Sequence, residues 1–299
     1  MIKKLFNIPN LLFILLLLLI FLPSKNQNAS PIPFLVVILL SEAGFIYALF
    51  RDSNKKSTVD IVTIIFTLFA LWEVCSTKLA IANPILLPPP ENVFYVFVSQ
   101  GKMMWDGLLN SMELMVIGFS LALIAGVGLG LVIGWYPRLR NTIFPIVKVL
   151  SPIPSLVYTP YLIGIMPSFR AASILVIFLG VFWPNLMTMI VFVGSVDRKI
   201  IDSAKSLNVK TSTMLYRIIF PYAIPNLIDG LSLGVTFSFM TLTVAEMIGS
   251  TVGLGYFVKK FADYGNYTNV LAGIILIGIV VTILNVLINI LKRRAVKWQ

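Results

Sequence analysis

The residues able to do chemistry are few and fall into three groups. One polar stretch holds Asp202, Ser203, Ala204, Asn208, Ile218 and Pro221, interleaved with Lys205, Lys210 and Arg217. Pro152, Pro154 and Pro160 interrupt an apolar stretch, and Thr236, Ser238, Thr241, Thr243 and Glu246 put polar groups at helical spacing in another. Nothing in these sets suggests catalysis. With no histidine and a single cysteine, Cys75, histidine acid–base work, His-ligated metal and an intrachain disulfide are excluded. A phosphate-binding loop, GxxxxGK followed by Ser or Thr, does not occur; Gly101-Lys102 is followed by Met103. What hydroxyls, one carboxyl group and proline-freed carbonyls can do is bind and release a polar solute, or hold helices together.

The elements that must position them are membrane helices. A chain that is 58% hydrophobic and only 12% charged lies far outside the range of soluble domains. Apolar stretches near the ~20 residues that cross a bilayer as helix occur at 11–22, 33–50, 61–76, 114–135, 148–167, 171–196, 231–246 and 270–291. The expected fold is an all-α polytopic membrane protein of about eight transmembrane helices. Lys and Arg distribute unevenly between the alternate loops: Lys25, Lys78, Lys102, Arg170, Lys259 and Lys260 lie on one side, and the other seventeen, from Lys3, Lys4 and Arg51 to Arg293, Arg294 and Lys297, on the opposite side. The rule that cytoplasmic loops are cation-rich then places both termini in the cytoplasm. The net charge of +11 is spread over these loops and suits anionic lipid rather than nucleic acid. Lys3-Lys4 and the leucine run after them also read as a signal peptide, but Gln27 before a cleavage site at Ala29 favours a retained helix.

The loop at 197–221 reads as a helix-turn-helix. Residues 202–208 form a short amphipathic helix ended by Asn208, which tolerates the left-handed backbone of a helix C-terminus. Thr211 or Ser212 can cap a second helix carrying Met214, Leu215, Ile218 and Ile219 up to a break at Pro221. Such a shape suits docking into a partner's groove.

This loop resembles the cytoplasmic signature of binding-protein-dependent importer permeases: Glu-Ala-Ala, three residues, Gly, nine residues, Ile, one residue, Leu-Pro. Asp202, Ser203, Ala204, Asn208, Ile218, Phe220 and Pro221 fall on those spacings, with Ala204, Ile218 and Pro221 identical. Asp for Glu keeps the charge and Asn for Gly keeps the turn. Leu87-Pro88-Pro89-Pro90, Pro137-Arg138-Leu139-Arg140, Pro152-Ile153-Pro154, Ser195-Val196-Asp197, Ala245-Glu246-Met247-Ile248-Gly249 and Gly253-Leu254-Gly255-Tyr256 are similar to the branch that imports nitrate, sulfonates, taurine, bicarbonate or heterocyclic vitamin precursors. The resemblance covers residues 87–291. It implies a type I ABC importer permease core at 81–299 with its coupling loop at 197–221, preceded by an N-terminal transmembrane extension at 1–80 of about three helices, of which the third belongs with the core and two are extra. It also implies a second permease copy, a cytoplasmic ABC ATPase dimer that binds ATP and Mg, and an external solute-binding protein. On this chain it implies no cofactor. The solute pathway is expected at Pro152, Pro154, Ser238, Thr241 and Glu246, with Glu246 near the outer end in a solvated setting as a gate or anchor.

Other features read more plainly. Gly126, Gly130 and Gly134, with Gly128 between, form a ridge for close helix packing. Residues 91–108 suggest an outer interfacial helix. Glu42 sits amid its apolar stretch, where a carboxyl group needs a cation or a proton. Two alternatives stay open: an ion-coupled secondary transporter, which would typically show an inverted repeat not found here, and a membrane scaffold that transports nothing.

Overall fold

The computed structural model describes residues 7–24, 29–51, 55–81 and 83–295, with the side chains of Arg51, Lys55, Asp229 and residues 293–295 left aside. Lys3, Lys4, Lys25, Gln27 and Lys297 lie outside the described residues. Among the described residues there is helix and no strand, and all eight expected stretches carry helix. Among the described residues six helices are long and apolar enough to cross a membrane, or seven if one bent pair counts as a single span. The bent pair is α6 (Pro137–Leu150) and α7 (Ser155–Ile165), turned by 91°. Pro152 and Pro154 cause the turn, since each lacks the N–H that would continue the ladder and biases the preceding residue away from helix. The stretch at 148–167 is therefore a broken element and not a straight span. The first helix, α1 (Ile8–Phe21), is apolar but has only fourteen residues.

The chain divides into two compact units. The first comprises Met1–Trp105 with Phe257–Ile275. Within it α1, α2 (Ile32–Arg51), α3 (Lys55–Glu73) and α4 (Pro90–Ser99) pack around Phe34, Phe66 and Phe94. Phe94 stacks on Phe34 at a centroid distance of 5.4 Å and meets Phe69 edge-on at 6.3 Å. The expected outer helix at 91–108 is divided at Gln100, because α5 begins at Gly101 and runs unbroken to Trp135. Glu73 is fully buried, and a π-helical turn at Val74–Lys78 brings Lys78 Nζ to 3.2 Å from Glu73 Oε1. Thr77 donates towards both Glu73 and Glu91, at 3.2 Å each, and Lys78 also donates to the Leu22 carbonyl. That network makes a charged residue tolerable inside an apolar helix. Glu42 is 7% exposed, and among the described residues its Oε2 has no hydrogen-bond partner.

The second unit comprises Asp106–Tyr256 with Leu276–Gln299. At its centre α8 (Phe169–Ser195) packs against α7, α6 and α11 (Phe220–Gly249). The glycine ridge of α5 also lies along α8: a Cβ at Gly130 would sit 2.5 Å from Met189 Cβ, one at Gly134 2.7 Å from Val193 Cβ, and one at Gly126 3.1 Å from the Phe182 carbonyl oxygen. Gly128, on another face, would meet nothing within 4 Å. Gly130→Val is expected to lower stability by about 1–3 kcal/mol through overpacking against Met189. Gly128→Ala should leave it level or raised, since alanine favours helix by ~1 kcal/mol. Thermal unfolding of the two variants in detergent checks both.

Candidate transport cavity and coupling surface

The 197–221 loop is built into the core and does not hang from it. The first helix, α9, spans Arg198–Ser206, longer at its start than the sequence suggested, because the Asp197 side chain caps it by accepting from the Lys199 N–H at 2.9 Å. Asn208 follows at φ 56, the left-handed conformation expected of it. The second helix begins with α10 (Thr211–Thr213), and its cap position is Lys210, not Thr211 or Ser212; no side chain caps it. It continues through a π-helical turn at Met214–Ile219 straight into α11. Pro221 therefore does not break it. A proline inside a regular helix clashes with the carbonyl four residues back, and the wider π turn falls on that stretch and relieves the conflict.

Ala204, Met214, Leu215 and Ile219 are buried together with Val127 and Leu131 of α5 and Met189, Val193 and Val196. Ile218 and Pro221 are half-buried, whereas Asp202, Ser203 and Asn208 are exposed. At the turn Leu207 is 79% exposed. The loop is thus a rigid knob with an apolar underside and a mixed tip, on which Leu207 stands beside Lys205 and Lys210.

A cavity of about 490 Å³ opens where α7, α8 and α11 converge. It brings together four of the five expected pathway residues: Pro152 and Pro154 from the bend, and Ser238 and Thr241 from α11. Ser151, Ser155, Asn185 and Thr188 line it too and were missed in the sequence. A signal for two of them existed: Pro184 interrupts the middle of α8 immediately before Asn185, the same mark that flagged Pro152 and Pro154. Gly180 lets the bend approach α8, since a Cβ there would lie 2.6 Å from Ser155 Oγ. None of the described side chains lining the cavity is charged. The other α11 hydroxyls leave it: Asn285 Nδ2 donates to Thr236 at 3.1 Å, and Thr243 donates to the Phe239 carbonyl.

Glu246, the fifth expected pathway residue, lies elsewhere, and the solvated setting expected for it is corrected. It neither lines this cavity nor is solvated, being 1% exposed. Ser111 O–H of α5 donates to Glu246 Oε1 at 2.6 Å, the Gly255 N–H donates to Oε2 at 2.8 Å, and the Leu254 N–H donates to Ser111 Oγ at 3.0 Å. Leu254 and Gly255 are the first residues of α12 (Leu254–Asp263), so two of its orphan N–H groups are capped by side chains from other helices. Gly253 adopts φ 139, where a side chain is strained, and a Cβ there would strike the Glu246 carboxyl group. A Cβ at Gly255 would strike the Thr243 carbonyl. The Ala245–Gly249 and Gly253–Tyr256 stretches are therefore two halves of one joint.

An all-helical polytopic chain whose mostly apolar, uncharged cavity carries a few hydroxyl and amide groups, with a knob on its surface, fits a membrane permease. Residues 122–298 match the family model described as the inner membrane component of binding-protein-dependent transport systems, and the chain belongs to that family. It is 30% identical to the taurine transport system permease protein TauC of Escherichia coli (strain K12), over 82% of this chain and 91% of that one. It is 27% identical to the putative aliphatic sulfonates transport permease protein SsuC of Bacillus subtilis (strain 168), over 78% and 84%. With the nitrate import permease protein NrtB of Leptolyngbya laminosa it shares 25%, over 86% and 94%. Its fold is that of a chain of the MetNI methionine ABC transporter in an inward-facing conformation, with a TM-score of 0.53 over 69% of this chain and 99% of that one, at 17% identity.

Proposed function

We propose that this permease works as the membrane half of an ATP-driven importer, passing a small polar solute of the sulfonate, taurine or nitrate kind inward by alternating access. The observation that carries this reading is the knob at 197–221: its underside is fixed in the core, so force applied at the tip moves α8 and α11, which wall the cavity. ATP and Mg are held by a separate cytoplasmic ATPase dimer docked on that knob, with Asp202, Ser203, Ala204, Asn208, Ile218 and Pro221 as the coupling residues. A second copy of this permease completes the pathway, and an external solute-binding protein delivers the cargo. Both termini lie in the cytoplasm. Three cations assigned to the outer side, Lys78, Arg170 and Lys259, are paired with Glu73, Glu113 and Asp263, which leaves less free positive charge there.

Native mass spectrometry of the permease co-expressed with its cognate ATPase tests the reading. The expected result is two permeases with two ATPases, whose ATP turnover rises when solute and binding protein are supplied. A lone permease that still accumulates solute would instead support a carrier driven by an ion gradient.

A further inference from the structure

A second crevice, of about 400 Å³, opens between α6 and α8. Its floor is apolar and firm: Ile190 is buried, Phe144 packs with it against Val147 and Leu186, and Pro145 and Val191 line the edges. Its rim carries Arg140 and Asn141. Gly194 gives the guanidinium a seat on α8, since a Cβ there would stand 2.9 Å from Arg140 Nη1. Among the described residues neither the Arg140 nor the Asn141 side chain has a hydrogen-bond or ion-pair partner. None of the described side chains lining the crevice is acidic, and Asp197, three residues past Gly194, is turned to the Lys199 N–H. The Arg140 N–H donates to the Tyr136 carbonyl, so Arg140 stands one helical turn from the Trp135-Tyr136 pair, and aromatic residues at a helix end mark headgroup level.

Water in this crevice would satisfy the donors and leave the floor wet, whereas hydrocarbon alone would cover the floor and leave the guanidinium and amide donors bare. An amphiphile with an anionic head does both, and a guanidinium takes a phosphate through two parallel hydrogen bonds. A choline headgroup brings a second positive charge beside Arg140, while a glycerol headgroup leaves the phosphate charge uncancelled. We infer that the crevice between α6 and α8 binds an anionic phospholipid, its phosphate on Arg140 and Asn141 and one acyl chain over Phe144, Pro145, Ile190 and Val191. Basic pockets between membrane helices hold lipid headgroups in this way. The lipid stands at the root of the knob, because Gly194 lies in the last turn of α8, where Val193 is buried with Met214 and Ile219. The site does not depend on the importer reading.

Native mass spectrometry of the whole chain, released from detergent with either dioleoyl-phosphatidylglycerol or dioleoyl-phosphatidylcholine added, reads the site directly, since the two lipids differ only in headgroup. The expected result is one phosphatidylglycerol held per chain, about tenfold or more tightly than phosphatidylcholine. Arg140→Gln should bring phosphatidylglycerol down to the phosphatidylcholine level. Val191→Trp, which fills the crevice and keeps every charge, should lower its retention by a separate route. Arg138→Gln is the control: two residues earlier on α6 it points roughly 200° round the helix, so its loss should leave retention within about twofold. Glycerophosphoglycerol, the same head without chains, should not displace the lipid. Equal retention of the two lipids, an equal loss in Arg138→Gln, unchanged retention in a folded Arg140→Gln or Val191→Trp chain, or displacement by the free head would each overturn the inference. Thermal unfolding identifies a misfolded variant, and the other then carries the test.

Discussion

Glu246→Ala should unfold at markedly lower temperature than the native chain while leaving the cavity walls unaltered in composition. The substitution removes the acceptor of the Gly255 N–H and that of the Ser111 hydroxyl, both at fully buried positions where water does not substitute. An orphaned buried donor costs about 1–3 kcal/mol, so two of them in one joint give an expected loss of about 2–4 kcal/mol. Glu246→Gln discriminates this account from simple loss of volume. Glutamine fills the same space and its carbonyl can still accept from Gly255, but its amide donates where Ser111 must also donate, so its loss should be roughly half. Melting of the detergent-solubilised permease reads the order native, Gln, Ala. If Gln and Ala melt together near the native value, the joint contributes no stability and the burial of the carboxyl group has another purpose.

That joint also shows where sequence reasoning stopped. Polar spacing along 236–246 marked Glu246 as one of a row, and a row on one helix looks like one lining. In the fold Ser238 and Thr241 turn to the cavity, Thr236 turns to Asn285, and Glu246 turns to Ser111, its partner 135 positions earlier. Spacing along a helix gives relative direction, but the neighbour on the other side is a tertiary fact. The membrane helices themselves were legible, because lipid tolerates only long apolar helices whose backbone groups are satisfied internally, and that leaves a plain mark in composition. Their ends were less so. The helix α5 has 35 residues, about 52 Å at ~1.5 Å per residue, and its first turns carry Lys102, Asp106 and Glu113, so an apolar window opened only at Leu114. Pro221 suggested a boundary where the second helix of the loop runs on into α11, since nothing in the local pattern announces the π turn that accommodates it. Asn208 was legible for the opposite reason: its left-handed backbone is a local requirement, and residue type alone answers it.

Leu207→Glu should abolish ATPase docking in a permease that still folds. Deleting 197–221 would be a poor test of the same contact, because Met214, Leu215 and Ile219 belong to the core and their removal would damage the unit itself. Leu207 has no such role, being 79% exposed at the turn between α9 and α10, so its replacement should not move the melting temperature. An apolar side chain held out at the tip of a rigid knob is unfavourable until a partner covers it, and covering a leucine fully stabilises a complex by about 1.5–3 kcal/mol. At 1.4 kcal/mol per decade, Leu207→Ala should weaken the permease–ATPase complex roughly tenfold to a hundredfold. Leu207→Glu should weaken it further, because a carboxylate would then enter an apolar socket. Titrating labelled ATPase into nanodisc-held permease measures both. Unchanged affinity in a well-folded Leu207→Glu chain would move the docking contact off this turn, most simply onto Asp202 and Ser203 along α9, and charge reversal at Asp202 would then be the variant that separates the two halves of the knob.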